Sequence, residues 1–269
     1  MKELITMWRN TRMIILTALV AAIYAAVLIP FKGIPLIPGI TEIRPANVFP
    51  VVFSLMFGPA GAWGSAIGNL IGDFFGTLGP GSFFGFIGNF FFGLVPYALW
   101  NRLGALSSQD EPTMRRGKQI MEYVVLAFLA SVACAVPIAW GLEVLRMVPF
   151  AVLGNIITLN NFIISAVVGP ILLLVLFPRV KRWGLYWRDI MPAADVSTGR
   201  TAGIGAAALV VGVLGAYVLG NYISMGLYNT PAFAAGFAKA GDPAFVGKLG
   251  LVGGLSPFIL LMLGSLILL

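Results

Sequence analysis

With 269 residues, 59% of them apolar and only 10% charged, the chain cannot cover itself with polar surface, so its solvent is lipid. The formal charge of +7 does not indicate nucleic acid, because Lys and Arg sit in short segments between apolar blocks, a topological pattern. The absence of histidine removes the commonest general base and metal ligand, no metal site is expected, and the lone Cys134 excludes an internal disulfide.

The apolar blocks are long and lack strand-like alternation, which predicts helices rather than a closed barrel. The first, Met13 to Ile29, is longer than the apolar region of a usual secretory signal, so it is expected to be retained despite Tyr24-Ala25-Ala26 near a plausible cleavage site. Ala18, Ala22 and Ala26 stack on one face of it, widened by Ala21 and Ala25, and such a small-residue ridge lets another helix approach closely. An ordinary contact within the chain explains the ridge equally well.

The second block, Ala46 to Phe57, is too short for a crossing of roughly 30 Å, which needs about 20 helical residues. It follows Thr41-Glu42-Ile43-Arg44-Pro45, so polar groups enter the membrane region, where only protein or a water-filled cavity tolerates them. Further spans are expected at Pro59 to Thr77, Phe83 to Trp100, Ile120 to Leu145, Phe150 to Phe177, Ile204 to Leu227 and Val246 to Leu269. Twelve of the seventeen Lys and Arg residues then fall in connections on one side. Taking that side as cytoplasmic places both termini inside.

With that orientation, unlinked polar residues reach one level near the outer face. Asn69 and Asp73 share a face of the third helix, and Asn89 lies about two turns into the fourth. Asn155, Thr158, Asn160 and Asn161 lie in the outer half of the sixth; Trp140, Glu143 and Arg146 end the fifth; Glu42, Arg44 and Asn47 approach from the first outer loop. An ionisable group inside a membrane requires a partner or a cavity, and Arg44 is the expected partner of Asp73. The bland account is interfacial charge together with asparagines that bridge helices, consistent with Gly-Asn recurring at Gly68-Asn69, Gly88-Asn89, Gly154-Asn155 and Gly220-Asn221. Phe74, Phe75, Phe83, Phe84, Phe86, Phe90, Phe91 and Phe92 cluster near the same end, mostly as lipid belt, with some rings available to a flat ligand. Cys134 reads as a small buried apolar residue.

No phosphate-binding Gly-x-x-x-x-Gly-Lys-Ser/Thr motif occurs, because Gly117-Lys118 is followed by Gln119. The sequence also lacks a Gly-x-Ser-x-Gly elbow and an interfacial cluster of acids or histidines, which disfavours a hydrolase or lipid-modifying enzyme. A self-sufficient secondary transporter using Asp73 as coupling carboxylate remains a second reading.

The alanine ridge, the loop leading into Glu42-Ile43-Arg44-Pro45-Ala46, and the block from Phe57-Gly58-Pro59-Ala60-Gly61 to Gly68-Asn69-Leu70-Ile71-Gly72-Asp73 resemble S components of energy-coupling factor transporters. The QueT-like group is the nearest. The resemblance covers Met13 to about Val180 and implies an all-α, six-helix substrate-binding membrane unit over residues 1–180. A basic cytoplasmic linker over 181–203 and two additional C-terminal transmembrane helices over 204–269 would follow. It implies a multi-pass protein of a prokaryotic cytoplasmic membrane that captures a vitamin or related micronutrient, with queuosine precursors and cobalamin among the candidates. Partners would be a transmembrane coupling protein and two cytoplasmic ATPases that use the ATP, leaving this chain without a cofactor. By the same resemblance Ala18, Ala22 and Ala26 dock on the coupling protein, and the first outer loop with Asn89, Trp140, Glu143, Asn155 and Asn160 contributes to the site. Glu42, Arg44, Asn47, Asn69 and Asp73 complete the expected set.

Overall fold

The computed structural model describes residues 2–37, 41–42, 44–196, 200–225 and 249–269. Among these residues eight helices of ten residues or more carry the architecture: α1 (Thr11–Leu28), α2 (Val48–Phe57), α3 (Pro59–Asp73), α4 (Gly81–Leu99), α5 (Gly117–Val144), α6 (Phe150–Arg182), α7 (Arg200–Ser224) and α8 (Leu249–Leu268). Among the described residues, five stretches are helical, long and apolar enough to cross a membrane, and they fall on α1, α4, α5, α6 and α7. Besides the helices, the described residues include one small antiparallel ribbon, Pro35–Ile37 with Thr41–Glu42, between α1 and α2.

Helix α1 starts where the Asn10 side chain accepts from the Arg12 amide at 3.0 Å, an N-cap that satisfies one of the orphan donors of the first turn. Its two faces have different fates. Val20, Ala21, Tyr24, Ala25 and Leu28 are buried, whereas Ala18, Ala22 and Ala26 are exposed. The buried face meets a glycine ridge on α3, in which a Cβ on Gly64 would fall 2.5 Å from Val20 and one on Gly68 would fall 2.8 Å from the Ala21 carbonyl. Only glycine permits that approach, and close backbone contact drives association where lipid supplies no hydrophobic force. Gly68→Val should therefore push α1 off α3, with a loss of about 1–3 kcal/mol. A lower midpoint of thermal unfolding in detergent checks it.

The short α2 is enclosed by α3, α4 and α6, and nine of its ten residues are buried. A helix surrounded by protein need not span the hydrocarbon, which accounts for its length. Gly58 turns the chain from α2 into α3 at φ 55°, and the Trp187 indole packs onto it so closely that a Cβ there would lie 2.5 Å from the ring. Trp187 belongs to a single helical turn, Trp187–Ile190, that folds back after α6. The start of the expected linker is thus packed: Tyr186, Trp187 and Met191 are buried.

Helices α7 and α8 pack chiefly on each other and lean on α5 and α6. The junction is polar and buried. The Glu143 carboxylate accepts from the Phe150 amide at the start of α6 and from the Ser224 hydroxyl at 3.0 Å, while Ser224 Oγ accepts from the Ala151 amide at 3.1 Å. Asn155 Nδ2 donates to Asn221 Oδ1 at 2.7 Å, and the Tyr217 hydroxyl donates to Asn155 Oδ1. An anion at a helix N-terminus and paired amides between helices are both stabilising. The last pair is therefore bolted to the bundle rather than hung from it.

Candidate functional site

A cavity of about 290 Å³ opens at the end of the bundle formed by the C-terminus of α3, the 74–80 turn and the start of α4, with α5 and α6 behind it. The opposite end carries Arg102, Arg116, Lys118 and Arg182. One wall is charged. Asp73, at the last turn of α3, pairs through Oδ1 with Lys32 Nζ at 3.2 Å, with side chains only 7% and 6% exposed. Thr77 Oγ1 donates to the same oxygen at 3.0 Å, and Asn69 Nδ2 donates to Oδ2 at 3.3 Å. Arg44 Nη1 in turn donates to Asn69 Oδ1 at 3.0 Å. Asp73 thus gathers Lys32 directly and Arg44 through one amide.

The inner wall is uncharged and amide-rich. The Tyr24 hydroxyl lies 2.7 Å from Asn47 Oδ1 and 3.0 Å from Asn89 Oδ1, so its one proton is shared between two acceptors. Asn47 Nδ2 donates to Asn161 Oδ1, and Asn89 Nδ2 is held by the Gly85 carbonyl at 2.9 Å. Fully connected networks of this kind are rigid, and they leave each amide's remaining donor or acceptor to a guest. Cys134, Ile138 and Leu142, spaced four apart on α5, and Ile157 on α6 supply an apolar side. No aromatic ring lines the cavity among the described residues.

Of the residues expected from sequence, Arg44, Asn47, Asn69, Asp73, Asn89 and Asn160 line this one cavity. Glu42 has its backbone in the ribbon, and its side chain lies outside the described residues. Trp140, Glu143 and Asn155 are placed elsewhere: Trp140 borders a separate apolar cleft, while Glu143 and Asn155 serve the α7 junction. The expected Arg44–Asp73 pair is replaced by Lys32–Asp73 with Arg44 one hydrogen bond away. Phe74, Phe75 and Phe83 are exposed and Phe91 and Phe92 buried, none facing the cavity.

Asn161, expected at the same level, also lines the cavity; sequence reasoning missed Thr77 in the lining, and Lys32 and Tyr24, which hold lining residues from behind. Tyr24 carries a signal: it and Thr17 are the two polar-tipped side chains within an otherwise apolar stretch of α1, and Thr17 is satisfied by the Met13 carbonyl of its own helix. The four Gly-Asn pairs divide between two uses. Asn69 and Asn89 face the cavity, whereas Asn155 and Asn221 bind each other.

A family model described as QueT transporter matches residues 14–178, more than half of the chain. The match runs from α1 into α6 and includes every residue lining the cavity, whereas α7 and α8 lie beyond it. No curated protein and no solved structure matches the sequence. By that match, the chain belongs to the QueT transporter family.

Proposed function

We infer that the chain is the substrate-capture subunit, or S component, of an ATP-driven energy-coupling factor importer for a small micronutrient. The observation that carries this reading is the polar cavity itself: six residues expected from sequence converge on it, inside the region that matches the transporter family. The reading takes residues 1–180 as the six-helix binding unit and α7 with α8 as an extension, with both termini on the cytoplasmic side of the inner membrane. Capture then occurs at the outer end, away from the basic loops.

The lining argues for the kind of guest. About 290 Å³ sits at the low end of small-molecule sites and suits a compact heterocycle of the queuosine-precursor class rather than a corrin macrocycle. Asn47, Asn89, Asn160 and Asn161 offer donors and acceptors side by side, which suits a ligand edge carrying both.

Import requires energy that no motif in this chain supplies, which is why the reading adds a transmembrane coupling protein and two cytoplasmic ATPases. The exposed line Ala18, Ala22, Ala26 is the proposed contact with the coupling protein. A secondary transporter driven through Asp73 is less well supported, because that carboxylate is already neutralised by Lys32.

Mass spectrometry of small molecules that co-purify from rich medium tests the substrate class: a compact nitrogen heterocycle is expected, and a corrinoid or a lipid-soluble solute would contradict it. With that ligand in hand, Arg44→Ala and Asn89→Ala should each weaken binding about tenfold or more, the scale of a lost buried hydrogen bond to a charged or well-ordered partner. Calorimetric titration checks it, and unchanged affinity in both variants refutes the placement.

A further inference from the structure

Helices α7 and α8 lie outside the residues that match the transporter family, and none of their described residues lines the polar cavity. They nevertheless hold its back wall. That wall is made by the end of α5, the start of α6 and the turn between them, from which Leu142, Met147, Ile157, Asn160 and Asn161 line the cavity. The turn is bent sharply: the Met147 amide donates back to the Leu142 carbonyl at 2.9 Å, and Arg146 sits at φ 60°. A residue with a Cβ keeps that left-handed backbone only where its surroundings hold it.

Two attachments from α7 do the holding. The Ser224 hydroxyl donates to Glu143 at the end of α5 at 3.0 Å and accepts from the Ala151 amide at the start of α6 at 3.1 Å, so one buried side chain clips both ends of the turn. About one helical turn away, Asn221 Oδ1 accepts from Asn155 Nδ2 at 2.7 Å while the Tyr217 hydroxyl donates to Asn155 Oδ1. That second attachment fixes the rotation of α6, and with it the direction in which Ile157, Asn160 and Asn161 point. Between the two, Gly220 meets the fully buried Phe150 so closely that a Cβ there would fall 2.5 Å from the ring.

We propose that α7, itself packed on α8, positions the back wall of the cavity, with Ser224 and Asn221 as positioning residues for solute capture that never touch the solute. Released at these points, the end of α5 and the start of α6 part, and the amides of Asn160 and Asn161 lose their fixed places. A site whose groups are already in position binds better than one that must order them first, so the extension raises affinity from outside the cavity. This inference rests on the polar cavity being the capture site.

The one thiol of the chain reports on the wall without any solute. Cys134 lines the cavity, is 2% exposed and lies within hydrogen-bond reach of Asn161, across the seam between α5 and α6. Its alkylation by N-ethylmaleimide therefore proceeds through openings of that seam. In the full chain in mild detergent, Ser224→Ala and Asn221→Leu are each expected to raise the alkylation rate about fivefold or more, the scale of one lost buried hydrogen bond. Gly205→Leu is the control: it forces α7 off Leu269 at the far end of the same helix pair, and should leave the rate within about twofold at an equal loss of unfolding midpoint. Unchanged rates in both junction variants overturn the proposal, and so does an equal rise in Gly205→Leu, which would mark general loosening. Saturating deazaguanine, a compact nitrogen heterocycle, should protect the thiol in the unaltered protein; absence of protection counts against the proposed solute class, while the rates alone decide the role of α7.

Discussion

Uptake by the Ala22→Leu variant is expected to fall about tenfold or more, while its affinity for the transported solute stays within about twofold of the unaltered protein. The separation follows from the two faces of α1. Ala21 and Ala25 are buried on the side where Gly64 and Gly68 of α3 approach, so they belong to the fold, whereas Ala18, Ala22 and Ala26 lie exposed on the other side, one turn apart. A leucine at 22 therefore leaves the α1–α3 contact and the Tyr24 hydroxyl in place. It does prevent a partner helix from approaching along the alanine line. Val167→Leu, on a side chain that is 64% exposed on α6, serves as the control and should leave uptake unchanged. Loss of binding in parallel with uptake in Ala22→Leu would remove the docking role.

Lys32→Met is expected to destabilise the protein by roughly 3–5 kcal/mol, because it strands the Asp73 carboxylate in a buried site. Removing one member of a buried pair costs more than the pair contributes, since the survivor has lost its water and keeps no counter-charge, only the neutral donors of Asn69 and Thr77. Most of that loss should return in Lys32→Met with Asp73→Asn, where the remaining amide still meets Asn69 and Thr77. Thermal unfolding of the single and double variants measures the coupling directly. Equal destabilisation in single and double variants would mean that the pair does not act as a unit. The single variant should also bind ligand weakly, because Asp73 orients Asn69 and, through it, Arg44.

The helices were largely legible because lipid imposes a coarse rule, a long apolar run per element, and the expected Ala46 to Phe57 and Phe150 to Phe177 overlap the observed α2 and α6 closely. Boundaries drifted where packing outweighed hydropathy. Helix α6 continues past Pro178 to Arg182, and there Val180 and the returning Tyr186 and Trp187 are buried. Depth along each axis was also readable, which is why Asn69, Asp73, Asn89 and Asn160 were found together.

Azimuth was not. On α6, Asn155 is five residues before Asn160, a rotation of about 140° that sends it to α7 instead of the cavity. On α5, Cys134, Ile138 and Leu142 form the cavity stripe, so Trp140 and Glu143 point to other neighbours although they lie at the same level. Which face meets which helix depends on the arrangement of all the others. The Lys32–Asp73 pair was hidden for a related reason: its members are 41 residues apart and meet only because the chain after α1 folds back over the end of α3.

The decisive measurement is reconstitution in sealed vesicles, with the labelled candidate solute outside and the chain present either alone or with the proposed coupling protein and ATPases. Saturable binding without accumulation is expected of the chain alone, and accumulation only when the full set is present with ATP on the face proposed as cytoplasmic. Accumulation by the chain alone, driven by an imposed ion gradient and indifferent to ATP, would contradict it.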